Sequence, residues 1–411
     1  RKDDPNFPNA TLIKEEIIIP SDKFERSYPQ YSPDGKELAF IQDRRKLMVV
    51  NLETKKVRQI TDGSFWPSTG GRFEYQWSPD GKWFTLCFTG NKHDPYYDIG
   101  LVSAQGGKIT NLTNSGYTSG SPAWTMDGNA ILFTSERYGM RNHASWGSME
   151  DVFLCFVNQD AYDKYRLSKE DYELLKEVEK EQEKLKKDAK KDDDKKDVKK
   201  DEKKDAVKDI VMELGGIQDR IVRLTPNSSS LGSAIIDKKG ETLYYTASFE
   251  GGMDLWKLDL RKKGVKLANK GVGYASFEMS KDGKNIFLLG GRMQKMDAAS
   301  GKLTPISFSA NMEMDLAAER EAMFDHVYKQ QQKRFYNVNM HGVDWDAMSA
   351  AYRKFLPHIN NNYDYAELLS EWLGELNVSH TGGRYRPAPS GYATANLGLL
   401  YDWSYEGKGL K

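Results

Sequence analysis

A ten-residue phrase that recurs five times is the feature that most constrains the fold of this chain. Its copies read YSPDGKELAF, WSPDGKWFTL, WTMDGNAILF, IDKKGETLYY and MSKDGKNIFL. In each copy a turn around a glycine leads into apolar residues, which is the pattern of a hairpin turn followed by a half-buried strand. The turn glycines are Gly35, Gly81, Gly128, Gly240 and Gly283, so the successive spacings are 46, 47, 112 and 43 residues.

This period predicts the blades of a β-propeller. Further strand-like runs follow the phrases, and four strands in roughly 45 residues is the repeat of a propeller blade. A β-sandwich is the alternative, but its strands would recur every 8 to 12 residues or so without a long repeated phrase. We therefore predict a multidomain chain with at least five blades, of four antiparallel strands each, over residues 1–308. The run TLIKEEIIIP, residues 11–20, is expected to be a partial strand before the first blade.

The overlong spacing indicates a charged insertion, which we place at residues 160–218 within one blade. Between Lys176 and Lys208 there are 14 lysines, 12 acidic residues and only 7 others, so this stretch cannot form a core. Its preceding part is compatible with a helix capped by Ser168. Because the charges are of both signs, a solvated excursion is favoured over a binding tail.

Composition excludes several classes of function. Basic and acidic residues number 60 each, so overall charge gives no basis for binding nucleic acid or an anionic membrane surface. No apolar run reaches the roughly 18 residues that would predict membrane insertion. Cys87 and Cys155 lie in apolar runs typical of buried free thiols, so no disulfide framework is predicted. No metal or other cofactor is predicted either, because metal-ligand spacing is missing from His93, His143, His326, His341 and His358.

After residue 308 the apolar period becomes that of a helix, and residues 309–390 are predicted to form a small α-helical domain. Three amphipathic helices are expected. Asp344 and Asp364 are the predicted N-caps, and Pro357 and Gly374 fall where helices should end or bend. One face of the first helix is expected to carry Leu316, Met323, Phe324, Val327, Tyr328 and Phe335.

The third helix runs into LNVSHTGG, residues 376–383, in which Ser379 and His380 precede two glycines. On these residues alone, a helix end with a surface imidazole is the favoured interpretation. A catalytic pair is the alternative.

Two longer segments resemble a known family. RFYNVNMHGVDWDAMSAAYRKFLPHI and ELLSEWLGELNVSHTGG are similar to the first core domain of tricorn-type serine peptidases, relatives of the C-terminal-processing peptidases, where this domain follows a β-propeller. The resemblance is strong from about Arg334 to Gly383 and weak in the repeats. ANLGLLYDWSYEGKGLK resembles the opening strands of the PDZ-like domain that comes next in the family, which would occupy residues 391–411.

The resemblance implies a catalytic role for His380 and Ser379. His380 would be the general base for a serine nucleophile, and Ser379 would orient it. The nucleophile and its acidic partner lie in the family's second core domain, outside these 411 residues. The resemblance further implies peptides or unfolded polypeptides as substrates, gating or positioning of substrate by the propeller, and a homo-oligomer as a possible assembly. For the location of the protein, the resemblance implies the bacterial cell envelope or periplasm, and the cytoplasm is the alternative.

Two other functions are weighed against a peptidase. A non-catalytic β-propeller interaction module with a degenerate helical appendage would also fit the repeats. A carbohydrate-active propeller enzyme is remote, because no convincing pair of inward carboxylates is evident. The loop at residues 135–148, SERYGMRNHASWGS, could contact substrate, but packing is the favoured interpretation.

Overall fold

The computed structural model describes residues 15–64, 74–90, 96–141, 148–193, 209–249, 251–309, 311–387, 402 and 404–408. The chain separates into two compact units, Arg1–Ser307 and Phe308–Lys411. The first unit is built from β-sheets and the second from helices. In the ranges given, no helix has both the length and the apolar character needed to cross a membrane.

Within its described residues, the first unit contains five four-stranded antiparallel sheets, in each of which the strands pair in chain order. Sheet 1 consists of β1 (Arg26–Tyr31), β2 (Glu37–Gln42), β3 (Lys46–Asn51) and β4 (Val57–Gln59). Sheet 2 consists of β5 (Tyr75–Trp77), β6 (Trp83–Phe88), β7 (Asp98–Ser103) and β8 (Thr110–Asn111). Sheet 3 consists of β9 (Ser119–Thr125), β10 (Ala130–Ser135), β11 (Asp151–Phe156) and β12 (Ile221–Arg223).

The repeat continues in the last two sheets. Sheet 4 consists of β13 (Ser230–Ile236), β14 (Thr242–Ser248), β15 (Asp254–Asp259) and β16 (Val265–Asn269). Sheet 5 consists of β17 (Ala275–Met279), β18 (Asn285–Gly290), β19 (Gln294–Asp297) and β20 (Leu303–Pro305). The prediction of five units with four antiparallel strands each is therefore confirmed. The partial strand predicted at residues 11–20 is wrong in its described part, where Ile18 and Ile19 instead pack on the outer face of sheet 1 without forming a strand.

The repeated phrase folds as its residues predict. In the first copy, the Ser32 hydroxyl donates to Asp34 Oδ1 at 2.6 Å, and the backbone N–H of Lys36 donates to the same oxygen at 3.1 Å. Gly35 then adopts a φ of 72°, a conformation that residues with a Cβ rarely take. The copies beginning at residues 77 and 279 repeat these hydrogen bonds, so one local solution opens the second strand of three sheets.

Neighbouring sheets pack face to face, which explains why their middle strands are apolar on both sides. Successive side chains of a strand point to opposite faces. In β10, Ile131 and Phe133 pack towards sheet 2, whereas Ala130 and Leu132 pack towards sheet 4. Such strands are buried on both faces, so they form continuous apolar runs instead of alternating ones.

The two cysteines lie inside this packed unit as free thiols. Cys155 is fully buried in β11, and burial raises the pKa of its thiol to about 12. Cys87, in β6, is partly buried. Neither cysteine takes part in a disulfide bond among the described residues.

The charged insertion leaves sheet 3 between β11 and β12, and it contains α1 (Gln159–Arg166) and α2 (Lys169–Asp193). Ser168 is confirmed as a cap, because its hydroxyl accepts a hydrogen bond from the Asp171 backbone N–H at 3.1 Å. Asn158 caps α1 in the same way, accepting from Ala161 at 2.8 Å. The sequence analysis did not find this second cap.

The beginning of the insertion is docked on sheet 4. Tyr172 of α2 is only 8% exposed, and the Arg261 guanidinium lies 3.7 Å from the centre of its ring. Arg261 also donates to the Tyr165 carbonyl at 2.6 Å. An arginine stacked on an aromatic face contributes about 0.5–2 kcal/mol, depending on how dry the contact is.

The end of the insertion is docked as well. The backbone N–H of Ile210 donates to Asp80 Oδ2 at 3.0 Å. The buried guanidinium of Arg220 donates to the carbonyls of Phe156 at 3.2 Å and Gly215 at 3.1 Å. Both ends of the insertion therefore pack on the sheets, which the prediction of a solvated excursion did not include, and residues 194–208 lie outside the described part of the chain.

We expect the highly charged middle of the insertion to be dispensable for folding. Replacing residues 178–207 with a short Gly-Ser linker should lower the melting temperature by less than about 5 °C, since the segment lacks apolar residues that could offset its ordering entropy. The described contact that would be lost is an exposed Lys164–Glu179 ion pair at 2.8 Å, and such pairs contribute about 0–1 kcal/mol. A larger fall would contradict a solvated segment.

Tyr172→Ala is the matched comparison for that replacement. It removes a buried ring from the docked part of the same helix and should destabilise the protein by about 2–4 kcal/mol. Thermal unfolding followed by circular dichroism measures both variants. If the single substitution were as mild as the loss of thirty residues, the division into docked ends and a dispensable middle would be wrong.

The second unit contains α3 (Leu316–Arg334), α4 (Trp345–Arg353) and α5 (Asn362–Gly374), with 3₁₀ turns at Met340–Gly342 and Leu356–His358. The three predicted helices are thus present, and α5 ends at Gly374 as expected. Asp344 is confirmed as the cap of α4, accepting from the Ala347 backbone N–H at 3.0 Å.

Two details of the helical prediction are wrong. Asn361, and not Asp364, caps α5, because the Asn361 side-chain oxygen accepts from the N–H groups of both Tyr363 and Asp364. On α3, Leu316 and Met323 are exposed, since the face that packs inward is centred on Phe324. The apolar face of α3 that packs inward is therefore shorter than the sequence indicated.

Candidate active site

A stack of three aromatic rings forms the centre of the helical unit. Trp372 of α5 is fully buried and lies between Phe324 of α3, with ring centroids 3.9 Å apart, and Trp345 of α4, 4.7 Å away. The planes differ by 6° and 2°, so all three rings are nearly parallel. This stack joins the three helices and fixes the direction in which α5 ends.

The chain leaves α5 through a buried anchor. Leu376 is completely buried, and its backbone N–H donates to the Leu373 carbonyl at 3.3 Å. Asn377 follows with a left-handed φ of 47°, and its N–H donates to the Gly374 carbonyl at 2.9 Å. The helix is therefore closed by a tight turn immediately before the serine and histidine.

Ser379 and His380 lie in the next turn, and both are exposed. His380 has a φ of 66°, which is uncommon for a residue other than glycine, although histidine is among the residues that tolerate it. Among the residues that the structure describes, neither side chain has a hydrogen-bond partner. The two functional groups are thus presented to solvent from a defined backbone.

The end of this turn is held by Ser370 of α5. Its hydroxyl donates to the Gly383 carbonyl at 2.9 Å and accepts from the Gly383 N–H at 3.0 Å. A Cβ on Gly383 would lie 2.7 Å from Leu369 Cβ and 2.9 Å from the Ala366 carbonyl oxygen. The second glycine of the motif is therefore required for close approach to the helix, and does more than end it.

The beginning of the turn is held by His341, which the sequence analysis considered only for metal-ligand spacing. Its Nδ1 lies 2.8 Å from the carbonyl oxygen of Leu376. Neither this contact nor the Ser370–Gly383 pair is evident from spacing, because 35 and 13 residues separate the partners. A signal in the sequence that could have directed attention to His341 is the glycine that follows it, because glycine marks turns.

The other histidines and the loop at residues 135–148 do not form a second candidate site in the described part of the chain. His93 and His143 lie outside the described residues, and His326 and His358 are exposed. In the described parts of the chain, no three or more His, Cys, Asp or Glu side chains come together in a way that could hold a metal ion. Of the loop at residues 135–148, only 135–141 and 148 are described, and there Tyr138 stacks on Phe153 at 6.0 Å between centroids.

Most residues of the predicted C-terminal domain lie outside the described part of the chain. The stretch expected to open a PDZ-like domain, residues 391–411, is described only at residue 402 and residues 404–408. The boundaries at residues 309–390 and 391–411 therefore stay predictions.

Comparison with known proteins identifies the helical unit first. Residues 316–374, from the start of α3 to the end of α5, match the family model described as "Tricorn protease C1 domain". Ser379 and His380 lie five and six residues beyond the matched stretch. The module that supports the candidate site is thus a tricorn-type core domain.

The whole chain has the same relatives. It is 24% identical to "Tricorn protease homolog 1" of Streptomyces coelicolor, over 91% of this chain and 36% of that protein. It is also 24% identical to "Putative Tricorn-like protease C-terminal subunit" of Sulfurisphaera tokodaii, over 92% of this chain and 42% of that protein. The crystal structure of the tricorn protease matches its fold with a TM-score of 0.59 and 14% identity, over 87% of this chain and 33% of that one.

The chain is a tricorn-like protein, which confirms the resemblance found in its sequence. It spans about two fifths or less of the length of the curated relatives it matches. The names of both relatives describe proteases.

Proposed function

We propose that the full-length protein is a serine peptidase in which His380 is the general base. Its nucleophilic serine and the acidic partner of the imidazole would lie outside these 411 residues. The substrates would be peptides or unfolded polypeptides, which the five sheets, as blades of a propeller, would gate or position. A second copy of the chain is a compatible partner in such an assembly.

The observation that carries this proposal is the contrast between backbone and side chains at residues 376–383. The backbone is anchored at both ends, by buried Leu376 and by the Ser370–Gly383 pair, whereas Ser379 and His380 are exposed. The helix end is already closed by the backbone N–H groups of Leu376 and Asn377, so neither exposed side chain is needed to cap it. A general base must instead remain accessible to the nucleophile and the substrate.

The chemistry then follows from the imidazole. One ring nitrogen of His380 takes the proton from the serine hydroxyl as its oxygen bonds to the scissile carbonyl carbon. The imidazolium returns that proton to the nitrogen of the leaving amine, so the C–N bond breaks and an acyl-enzyme remains. Water, deprotonated by the same imidazole, attacks the acyl carbon. The bond to the serine oxygen then breaks, the imidazolium returns the proton to that oxygen, and the acid product leaves. Ser379 is close enough in sequence to donate a hydrogen bond to the imidazole or to its acidic partner and hold its orientation.

The isolated 411-residue chain is expected to have no peptidase activity, because a base without its nucleophile cannot form an acyl-enzyme. The full-length protein should cleave an unstructured fluorogenic peptide, and a serine-directed inhibitor should abolish that cleavage. Circular dichroism of the isolated chain provides the control for folding. Inhibitor-sensitive hydrolysis by the isolated chain would count against the proposal. If the full-length protein showed no hydrolysis, that result would also count against the proposal and would favour a non-catalytic interaction module.

A further inference from the structure

His341 makes two hydrogen bonds that fix its orientation and the tautomer of its neutral ring. Its Nδ1 faces the Leu376 carbonyl oxygen at 2.8 Å, and its Nε2 contacts the Tyr336 hydroxyl. A carbonyl oxygen can only accept, so Nδ1 must carry a hydrogen. In the neutral ring Nε2 is then the acceptor, and the Tyr336 hydroxyl is the donor. The ring therefore bridges the segment after α3 and the segment after α5.

The backbone that carries His341 is in an unfavourable conformation. Met340, His341 and Gly342 have consecutive positive φ values of 49°, 56° and 84°. A left-handed conformation is unfavourable for a residue with a Cβ, because the Cβ comes too close to the following carbonyl oxygen. Met340 is buried in the helical core, and the Val343 N–H closes the turn by donating to its carbonyl at 3.1 Å. Strain of this kind persists where the surrounding structure requires it, and it often accompanies function.

The Leu376 carbonyl is fixed shortly before the candidate site. It lies three residues before Ser379 and belongs to a fully buried residue. Side chains hold the eight residues from 376 to 383 at three points: His341 at Leu376, the Thr381 hydroxyl, which donates to the Val378 carbonyl at 2.9 Å, and Ser370 at Gly383. The left-handed φ of His380 lies between these points.

We infer that His341 is a positioning residue for His380: its Nδ1–H holds the Leu376 carbonyl and thereby sets the direction in which the His380 imidazole points. This inference rests on the proposed function and adds to it a second histidine that does not touch the substrate. His341 is itself exposed, so it is not needed to fill the core. Its ring meets the Phe335 ring edge-on, with the centroids 5.2 Å apart. This packing contact does not by itself require the hydrogen bond to the Leu376 carbonyl.

The test compares two substitutions of nearly equal shape in the full-length protein. His341→Asn keeps an N–H donor on an atom close to Nδ1, whereas His341→Asp has only oxygens there. Both residues tolerate a positive φ better than most. His358→Asn is the matched control, because His358 is exposed in the same unit and its side chain makes no described hydrogen bond.

For His341→Asp we expect kcat on an unstructured peptide to fall at least 10-fold, with KM changed less than 3-fold. For His341→Asn we expect kcat within 3-fold of the unsubstituted protein, and for His358→Asn no change. A residue that only supported the fold would change the melting temperature and would not separate kcat from KM. A kcat for His341→Asp within 2-fold of the unsubstituted protein would overturn the positioning role.

A second readout does not depend on catalysis. With ¹³Cε1-labelled histidine, the His380 resonance of the full-length protein should be sharp in His341→Asn and shifted or broadened in His341→Asp. An unchanged resonance in His341→Asp overturns the inference whatever the activity. Failure of the proposed function would appear differently, as full activity in His380→Ala, so the two can be told apart.

Discussion

Replacing His380 with alanine in the full-length protein is expected to lower kcat on an unstructured peptide by at least about 10³-fold. The reason is that base, nucleophile and acidic partner act as one unit, so the loss of one member removes most of their joint effect. His380 is exposed and has no hydrogen-bond partner among the described residues, so its loss should barely change the melting temperature. Steady-state kinetics together with thermal unfolding measures both effects.

Ser379→Ala should have a smaller effect than His380→Ala, because the proposed role of its hydroxyl is to orient the imidazole. His358→Ala is the matched control, since it removes an exposed histidine from the same unit and should leave kcat unchanged. Comparable activity in His380→Ala and the unsubstituted protein would refute the assignment of the base. Equal losses in all three variants would indicate damage to the helical unit instead.

Replacing Trp372 with alanine is expected to unfold the helical unit. The substitution removes the middle ring of the stack with Phe324 and Trp345 and leaves a cavity between three helices. Loss of a buried tryptophan costs about 3–5 kcal/mol, and a unit of this size loses roughly 4–8 °C of melting temperature per kcal/mol. Because the site follows directly from α5, activity of the full-length protein should disappear with the fold.

Differential scanning calorimetry of Trp372→Ala can separate the two units. The transition that belongs to the sheets should be retained, while the helical transition moves below the assay temperature. Trp372→Phe is the control, because it keeps an aromatic ring between Phe324 and Trp345 and should cost much less. A helical transition that moved by less than about 5 °C in Trp372→Ala would show that the stack does not hold this unit together.

The repeat architecture could be predicted because it depends on interactions between residues that are close in sequence. A serine, an aspartate and a glycine at fixed offsets make the same turn in three sheets, and the apolar residues that follow must form strands. The docking of the insertion could not be predicted, since it depends on Arg261 reaching Tyr172 from a different sheet. Charge composition carries no information about tertiary contacts at the two ends of the insertion.

In the helical unit the same limit of sequence-based prediction applies to single residues. Asp344 and Asn361 both cap helices, but the sequence analysis predicted Asp364 in place of Asn361 for α5, because the residue type alone does not show where the helical backbone begins. Ser379 and His380 were found through a family resemblance, not through their spacing. The contacts that anchor them, from His341 and Ser370, join residues far apart in the chain and appear only once α5 is packed.

The central claim is that His380 activates a serine outside these 411 residues, and the rate of covalent labelling tests it most directly. A serine-directed organophosphorus reagent is added to the full-length protein, and mass spectrometry locates the label and follows its formation. We expect one labelled serine beyond this chain, and labelling at least about 10²-fold slower in His380→Ala, the lower end of what a general base contributes. Equal labelling rates in the two proteins, or no labelled serine in the unsubstituted one, would contradict the account.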